Sequence, residues 1–168
     1  VVPFLLPLYE YYQLDQTRLS DFPKGTSKVT FTSGSTGQPK GVCLSIANQF
    51  AVANALVERI GIKTPKHFCL LSFSTLLENI AGIYAPLMAG GSLFVASDVY
   101  RGFDGATIHS PNLLVNAITG ASPHTMILVP ELLQFLLHAN ASGWEIPVSL
   151  LFMAVGGSRV SSALMSQA

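Results

Sequence analysis

The chain has 168 residues, 49% of them hydrophobic and only 11% charged, which is enough apolar surface to bury a core and too much for a disordered chain. Nine basic residues balance nine acidic ones, so no basic footprint points to nucleic acid or to an anionic membrane surface, and small molecules are the expected partners. Two cysteines cannot build a disulfide framework; Cys43 and Cys69 each sit between apolar neighbours, as buried free thiols do, and a reducing, cytoplasmic setting fits.

Residues 1–27 hold three prolines and much of a polar run, and they read as an irregular leading segment. The start, Val1-Val-Pro-Phe-Leu-Leu-Pro, has no initiator Met and no basic region followed by a cleavage signal, so it reads as the middle of a longer protein rather than as a signal peptide. From residue 28 the texture changes to short β-rich runs alternating with helical patterns. Such alternation is the mark of an α/β fold with a layered, mostly parallel sheet flanked by helices. Val29-Thr-Phe-Thr32 is the first predicted strand, followed by a Gly-rich loop and then a helix capped by Ser45. In that helix Ile46, Phe50, Ala53, Val57 and Ile60 recur at helical spacing until Gly61 ends it.

A second strand is predicted at Phe68-Cys-Leu-Leu-Ser72, a helix near residues 76–89, and a third strand at Ser92-Leu-Phe-Val95. The uncharged stretch 79–97 approaches the length of a membrane span, but Pro86, Gly90 and Gly91 interrupt it, so it reads as a helix end leading to a strand; peripheral membrane association is left open. Ser110 and Pro111 predict the cap and first turn of a further helix. Thr125-Met-Ile-Leu-Val129 makes the fourth strand, and Pro130 opens the next helix, with Glu131 near its positive end and His138 near its negative one. Ser149-Leu-Leu-Phe-Met-Ala-Val155 reads as a buried strand running into Gly156 and Gly157. The last residues, 161–168, look like a helix start capped by Ser161 and cut short.

The loop after the first strand carries the chemistry. In Thr32-Ser-Gly-Ser-Thr-Gly-Gln-Pro-Lys-Gly41, Ser33, Ser35 and Thr36 offer hydroxyls, while Gly34 and Gly37 let backbone N–H groups turn toward an anion. Lys40 adds a compact positive charge, and Pro39 limits the loop's freedom in advance. A Walker loop is rejected by spacing, because Pro39 stands where its second glycine belongs and Gly41 where its Mg²⁺-binding hydroxyl belongs. The glycine intervals also fail a G-x-G-x-x-G dinucleotide fingerprint. The ten residues match every fixed position of [ST]-[ST]-G-[ST]-T-G-x-P-K-G, and in this the chain resembles the adenylate-forming (AMP-binding) superfamily, most of all its long-chain fatty acid-CoA ligases and acyl-CoA synthetases.

The resemblance extends over most of the chain from residue 29. Leu71-Ser-Phe-Ser-Thr-Leu-Leu-Glu-Asn-Ile-Ala-Gly82 is similar to a block usually written L-P-L-x-H followed by a helix beside the acyl pocket, although Ser72 replaces the proline and Thr75 the histidine or aromatic. Tyr84-Ala-Pro-Leu-Met-Ala-Gly-Gly91 resembles the P-L-x-x-G-[AG] passage, and Ala154-Val-Gly-Gly-Ser158 a G-G-[EA] turn that supports adenine. The resemblance implies a partial N-terminal AMP-binding domain over 28–168. It implies ATP-dependent activation of a carboxylic acid, with a long-chain fatty acid as the expected class, to an acyl-adenylate that coenzyme A then takes up. Carried across by the motif, Ser33, Ser35, Thr36 and Lys40 would contact the β- and γ-phosphates, with Thr36 and Lys40 in the catalytic role, and Gly34 and Gly37 permit close approach. Thr32 would lie near Mg²⁺, and Gly156, Gly157 and Ser158 near the adenine.

The Y-G-x-T-E block, the ribose-binding aspartate and the C-terminal lysine of such enzymes do not occur in this sequence, so the chain alone is expected to hold part of the ATP site and to be inactive. Rival readings are an aryl or amino acid adenylating enzyme, a fatty acyl-AMP ligase that omits coenzyme A, and a non-catalytic nucleotide-binding module. His67, His109, His124 and His138 are scattered without ligand spacing, and no metal site is expected from them. Glu78 is an isolated helical carboxylate, for which a solvated or capping role is the favoured reading.

Overall fold

The structure, a computed structural model, describes residues 22–32, 40–105 and 107–167. The chain divides into two compact units, Val1–Ile46 and Ala47–Ala168. In the first, strand β1 (Thr26–Thr32) pairs antiparallel with β2 (Lys40–Ser45). The β-branched and aromatic residues of β1 suit a pleated strand. The second strand of this hairpin is not predicted by the sequence, which reads residues 40–45 as the approach to a helix. The Gly-rich segment is thus the connection of a hairpin, and residues 33–39 lie outside the described residues.

The second unit is built on a four-stranded parallel sheet in the order β4-β3-β7-β8. Its strands are β3 (Lys66–Phe68), β4 (Ser92–Phe94), β7 (Thr125–Leu128) and β8 (Phe152–Val155). Helix α1 (Ile46–Ile60) leads in and ends at Gly61, whose φ of 69° is the left-handed turn that glycine adopts without strain. Between β3 and β4 the chain forms a π-helix (Glu78–Tyr84) that continues into α2 (Ala85–Met88). After β4 come α3 (Asp98–Arg101) and a short hairpin of β5 (Phe103–Asp104) and β6 (Thr107–Ile108). Helices α4 (Pro111–Ala121) and α5 (Pro130–Ala141) flank β7, and α6 (Ser162–Met165) follows β8.

Alternation along the strands divides the core in two. Met126 and Leu128 pack with Phe68, Leu114, Ile118 and Leu133 against α4 and α5, while Ala53, Ile80 and Ala85 form a second cluster between α1 and the π-helix. Three expectations are corrected. The strand foreseen at 68–72 is β3 at Lys66–Phe68; the Cys69 N–H still donates to the Phe94 carbonyl of β4 at 3.0 Å, but the carbonyls of Cys69 at 3.2 Å and Leu70 at 2.6 Å accept from the Arg101 guanidinium instead of from a strand. Ser110 occupies the N-cap of α4 without a capping hydrogen bond from its side chain, whereas Ser161 accepts from the Leu164 N–H as foreseen. Phe50 and Ile46, two of the apolar positions that recur at helical spacing in α1, are exposed, and Gln49 and Ala53 are the buried residues of that helix. Among the described residues no helix is long and apolar enough to cross a membrane.

Candidate active site

The hairpin register sets Thr32 directly opposite Lys40, so the two residues that bound the Gly-rich segment are cross-strand neighbours. Seven residues then close between them. Gly41 stands next to this pair, and a Cβ there would meet Val29 Cγ1 at 3.2 Å, so the absence of a side chain lets β2 lie close to β1. Lys40 is exposed. Ser33, Gly34, Ser35, Thr36 and Gly37 lie outside the described residues.

The second group of predicted residues sits at the C-terminal end of β8. The Gly156 N–H donates to the Leu128 carbonyl at 3.0 Å, tying the turn to β7. Gly157 has φ 87°, and Ser158 is exposed. A Cβ at Gly156 would come within 2.8 Å of Leu77 Cδ2. Gly157 is therefore favoured by its left-handed backbone and Gly156 by its close contact with the Leu77 side chain, and this turn lies at the carboxyl edge of a parallel sheet, where α/β folds place their ligands. The sheet order also reverses direction between β3 and β7, which puts the switch-point crevice at the ends of those two strands.

On the α1 face of the sheet lies a cavity of about 270 Å³. Val52, Leu56 and Ile60 of α1, Leu77 and Ala81 beside the π-helix, and Ile127 and Ala154 of the sheet make its walls almost wholly apolar. His67 and Thr125 are its polar lining. Their polar atoms are engaged: His67 Nδ1 bonds Thr125 Oγ1 at 2.9 Å and His67 Nε2 bonds Glu78 Oε1 at 3.1 Å.

Glu78 is therefore fully buried, at 0% exposure, against the solvated or capping role expected for it. Burial brings a charge-bearing group inside only where a partner is supplied, and His67 supplies it. Gly82, one helical turn on, leaves the space that both side chains use; a Cβ there would lie 2.7 Å from His67 Nε2 and 2.8 Å from Glu78 Oε1. Burial foremost, and then the neighbouring Glu78 carboxylate, push the Cys69 thiol far above its ordinary value. Cys43, expected to be buried likewise, is only half-buried. The sequence signals for this cluster were slight: His67 and Cys69 two apart in an apolar run, and Glu78 and Gly82 four apart on a helix.

Comparison with known proteins agrees with this architecture. A sequence profile described as AMP-binding enzyme matches residues 19–168. The chain is 33% identical over 144 residues to peramine synthetase A of Epichloe festucae, covering 80% of this chain and 5% of that protein. It is 38% identical over 79 residues to a mitochondrial medium-chain acyl-CoA ligase of Homo sapiens, covering 44% of this chain and 13% of the ligase. Among solved structures, O-succinylbenzoate coenzyme A synthetase from Bacillus subtilis in complex with AMP superposes with a TM-score of 0.65 at 19% identity, over 86% of this chain and 34% of that one. The chain thus spans a small part of the length of these relatives, and peptide synthetases stand among them beside acyl-CoA ligases rather than long-chain fatty acid ligases in particular. With a phosphate-loop motif closed by the Thr32 and Lys40 pair and a glycine turn on the carboxyl edge of a parallel sheet, this chain belongs to the AMP-binding enzyme family.

Proposed function

We propose that an enzyme containing this chain activates a carboxylic acid with ATP, releasing pyrophosphate and forming an acyl-adenylate, and that the hairpin loop holds the triphosphate. The observation that carries this reading is the ten-residue loop motif, whose Thr32 and Lys40 face each other across the hairpin. Ser33, Ser35 and Thr36 are assigned to the β- and γ-phosphates with backbone N–H groups freed by Gly34 and Gly37, and Lys40 to the charge that develops as pyrophosphate leaves. The Thr32 hydroxyl, a hard oxygen donor, suits Mg²⁺, which when bound would neutralise phosphate charge. Gly156, Gly157 and Ser158 are assigned to the adenine side; the AMP complex of the Bacillus subtilis relative supports a nucleotide in this fold.

The acid's apolar part is assigned to the 270 Å³ cavity. At about 30 Å³ for each water-sized group, that volume admits roughly nine methylene-sized units. A medium-length or compact acyl group fits within these walls, and a long-chain acid needs further space outside them. No carboxylate lines the cavity among the described residues, so an α-ammonium group would find no counter-charge there. The likeness to peptide synthetases nevertheless keeps amino acids as the second reading. Coenzyme A is the proposed acceptor on the likeness to the acyl-CoA ligase.

The test is carboxylate-dependent exchange of labelled pyrophosphate into ATP, run on a protein in which this chain is extended to the length of its relatives, against fatty acids of increasing length, aryl acids and amino acids. Exchange with medium-length fatty acids is expected; absence of exchange with every acid would defeat the enzyme reading, and exchange with amino acids alone would install the second.

A further inference from the structure

We infer that His67, Cys69 and Glu78 form a binding site for one divalent ion of the zinc class in the wall of the apolar cavity. One ligand atom from each residue lies within 4.8 Å of the others, and the three side chains are 1%, 2% and 0% exposed. His67 lies in β3 and Cys69 immediately follows its last residue, while the π-helix brings Glu78 to within 3.1 Å of His67.

Four features make this a receptor for a cation rather than a buried hydrogen bond alone. Glu78 Oε2 is buried and has no hydrogen-bond partner, so half of the carboxylate has lost its water without replacement. Thr125 engages His67 Nδ1 at 2.9 Å, the outer-shell contact that fixes a ligating imidazole with its other nitrogen turned to the ion. Gly82 keeps clear the space beside His67 Nε2 and Glu78 Oε1 that any Cβ would fill. Of the three, His67 also lines the cavity, so its imidazole is the side of the cluster from which an ion and a fourth ligand would approach.

The donor set selects the metal. Nitrogen, sulfur and oxygen together suit zinc, whereas Mg²⁺ and Ca²⁺ take oxygen alone, so this site is distinct from the ion that accompanies ATP. One thiolate and one carboxylate with a neutral imidazole cancel a charge of two, leaving a neutral centre in an apolar surround. The Cys69 thiol loses its proton to solvent as the sulfur–metal bond forms. Bond lengths of about 2.0–2.3 Å draw the donors inward and pin the π-helix to the sheet.

The experiment titrates the full 168-residue chain, stripped with chelator, with CoCl₂ and then displaces cobalt with ZnCl₂. Expected are one equivalent of Co²⁺ per chain, a thiolate-to-cobalt band in the near-ultraviolet, and its loss on adding Zn²⁺. Cys69→Ser should abolish the band and weaken binding at least about tenfold, Thr125→Val should weaken it about 10–100-fold, and Cys43→Ser should change nothing. X-ray absorption at the zinc edge of the unmutated chain should show one sulfur at about 2.3 Å, a readout that does not depend on any variant folding. A metal shell without sulfur, substoichiometric binding, or a band lost in Cys43→Ser and kept in Cys69→Ser would overturn the proposal.

Discussion

Gly82→Ala tests the buried pair directly. Its new Cβ would sit 2.7 Å from His67 Nε2, 2.8 Å from Glu78 Oε1 and 2.9 Å from Glu78 Cδ, against side chains only 1% and 0% exposed and so without room to withdraw. Overpacking of this kind costs about 1–3 kcal/mol. The clash is relieved by parting the 3.1 Å bond, but that deprives a buried carboxylate of its His67 partner, at about 1–3 kcal/mol. The two costs are alternatives more than a sum, and alanine returns about 1 kcal/mol of helix propensity. A net loss near 2 kcal/mol follows, which is about a 1 M fall in the urea midpoint for an m-value near 2 kcal/mol/M. Gly120→Ala is the internal control: it lies exposed in α4, where the nearest atom to a new Cβ is Tyr100 Oη at 3.9 Å. It should gain about 0.5–1 kcal/mol. Urea unfolding followed by circular dichroism reads both, and a midpoint for Gly82→Ala at or above that of the unmutated chain would refute the packing argument.

Four further outcomes are expected. A disulfide reagent should label one thiol per folded chain, half-buried Cys43, and two in guanidinium, since Cys69 is 2% exposed with its thiol held protonated; two fast thiols in the folded chain would contradict this. By linkage the unfolded chain releases the Cys69 proton above about pH 8.5 while the folded chain keeps it, so the urea midpoint should fall between pH 8 and pH 10, more in the unmutated chain than in Cys69→Ser. Gly91→Ala would set a Cβ 2.1 Å from the Pro65 carbonyl oxygen and part the Ser92 N–H bond to that carbonyl, so soluble yield should drop sharply, and a well-folded variant would show the β3–β4 junction to be misplaced. In the extended protein, Lys40→Ala should lower pyrophosphate exchange about 10²–10³-fold with an unchanged circular dichroism spectrum, and an unchanged rate would remove Lys40 from the phosphate site.

Local signals in the sequence located most elements, and non-local pairing explains the rest. Gly61 and Pro130 mark helix ends because each acts through its own backbone. Strand β2 escaped detection because its six residues are extended only by pairing with β1. The carbonyls just past β3 are taken by Arg101, some thirty residues on, which no window around Phe68 contains. The burial of Glu78 depends in the same way on His67 from a neighbouring strand, and a lone carboxylate in a helical pattern gives no sign of it. Within residues 76–88 the helical period was legible but its widening was not. Pro86 has no N–H and its ring crowds the preceding turn. The chain meets this with a bond from the Ala85 N–H to the Ile80 carbonyl, five residues back, which opens the turn ahead of the proline.

The hairpin also bears on how the proposed phosphate loop would act. In a Walker loop the anion rests on the N-terminus of the helix that follows directly, and the helix dipole contributes to binding. Here β2 stands between the loop and α1, and its six residues at about 3.3 Å each set the start of that helix roughly 20 Å along the chain from Lys40. The dipole falls off within a turn. On the proposed function, triphosphate charge would fall to the loop's N–H groups and hydroxyls, to Lys40 and to a bound cation, so Lys40 would carry a share that a Walker lysine divides with a helix.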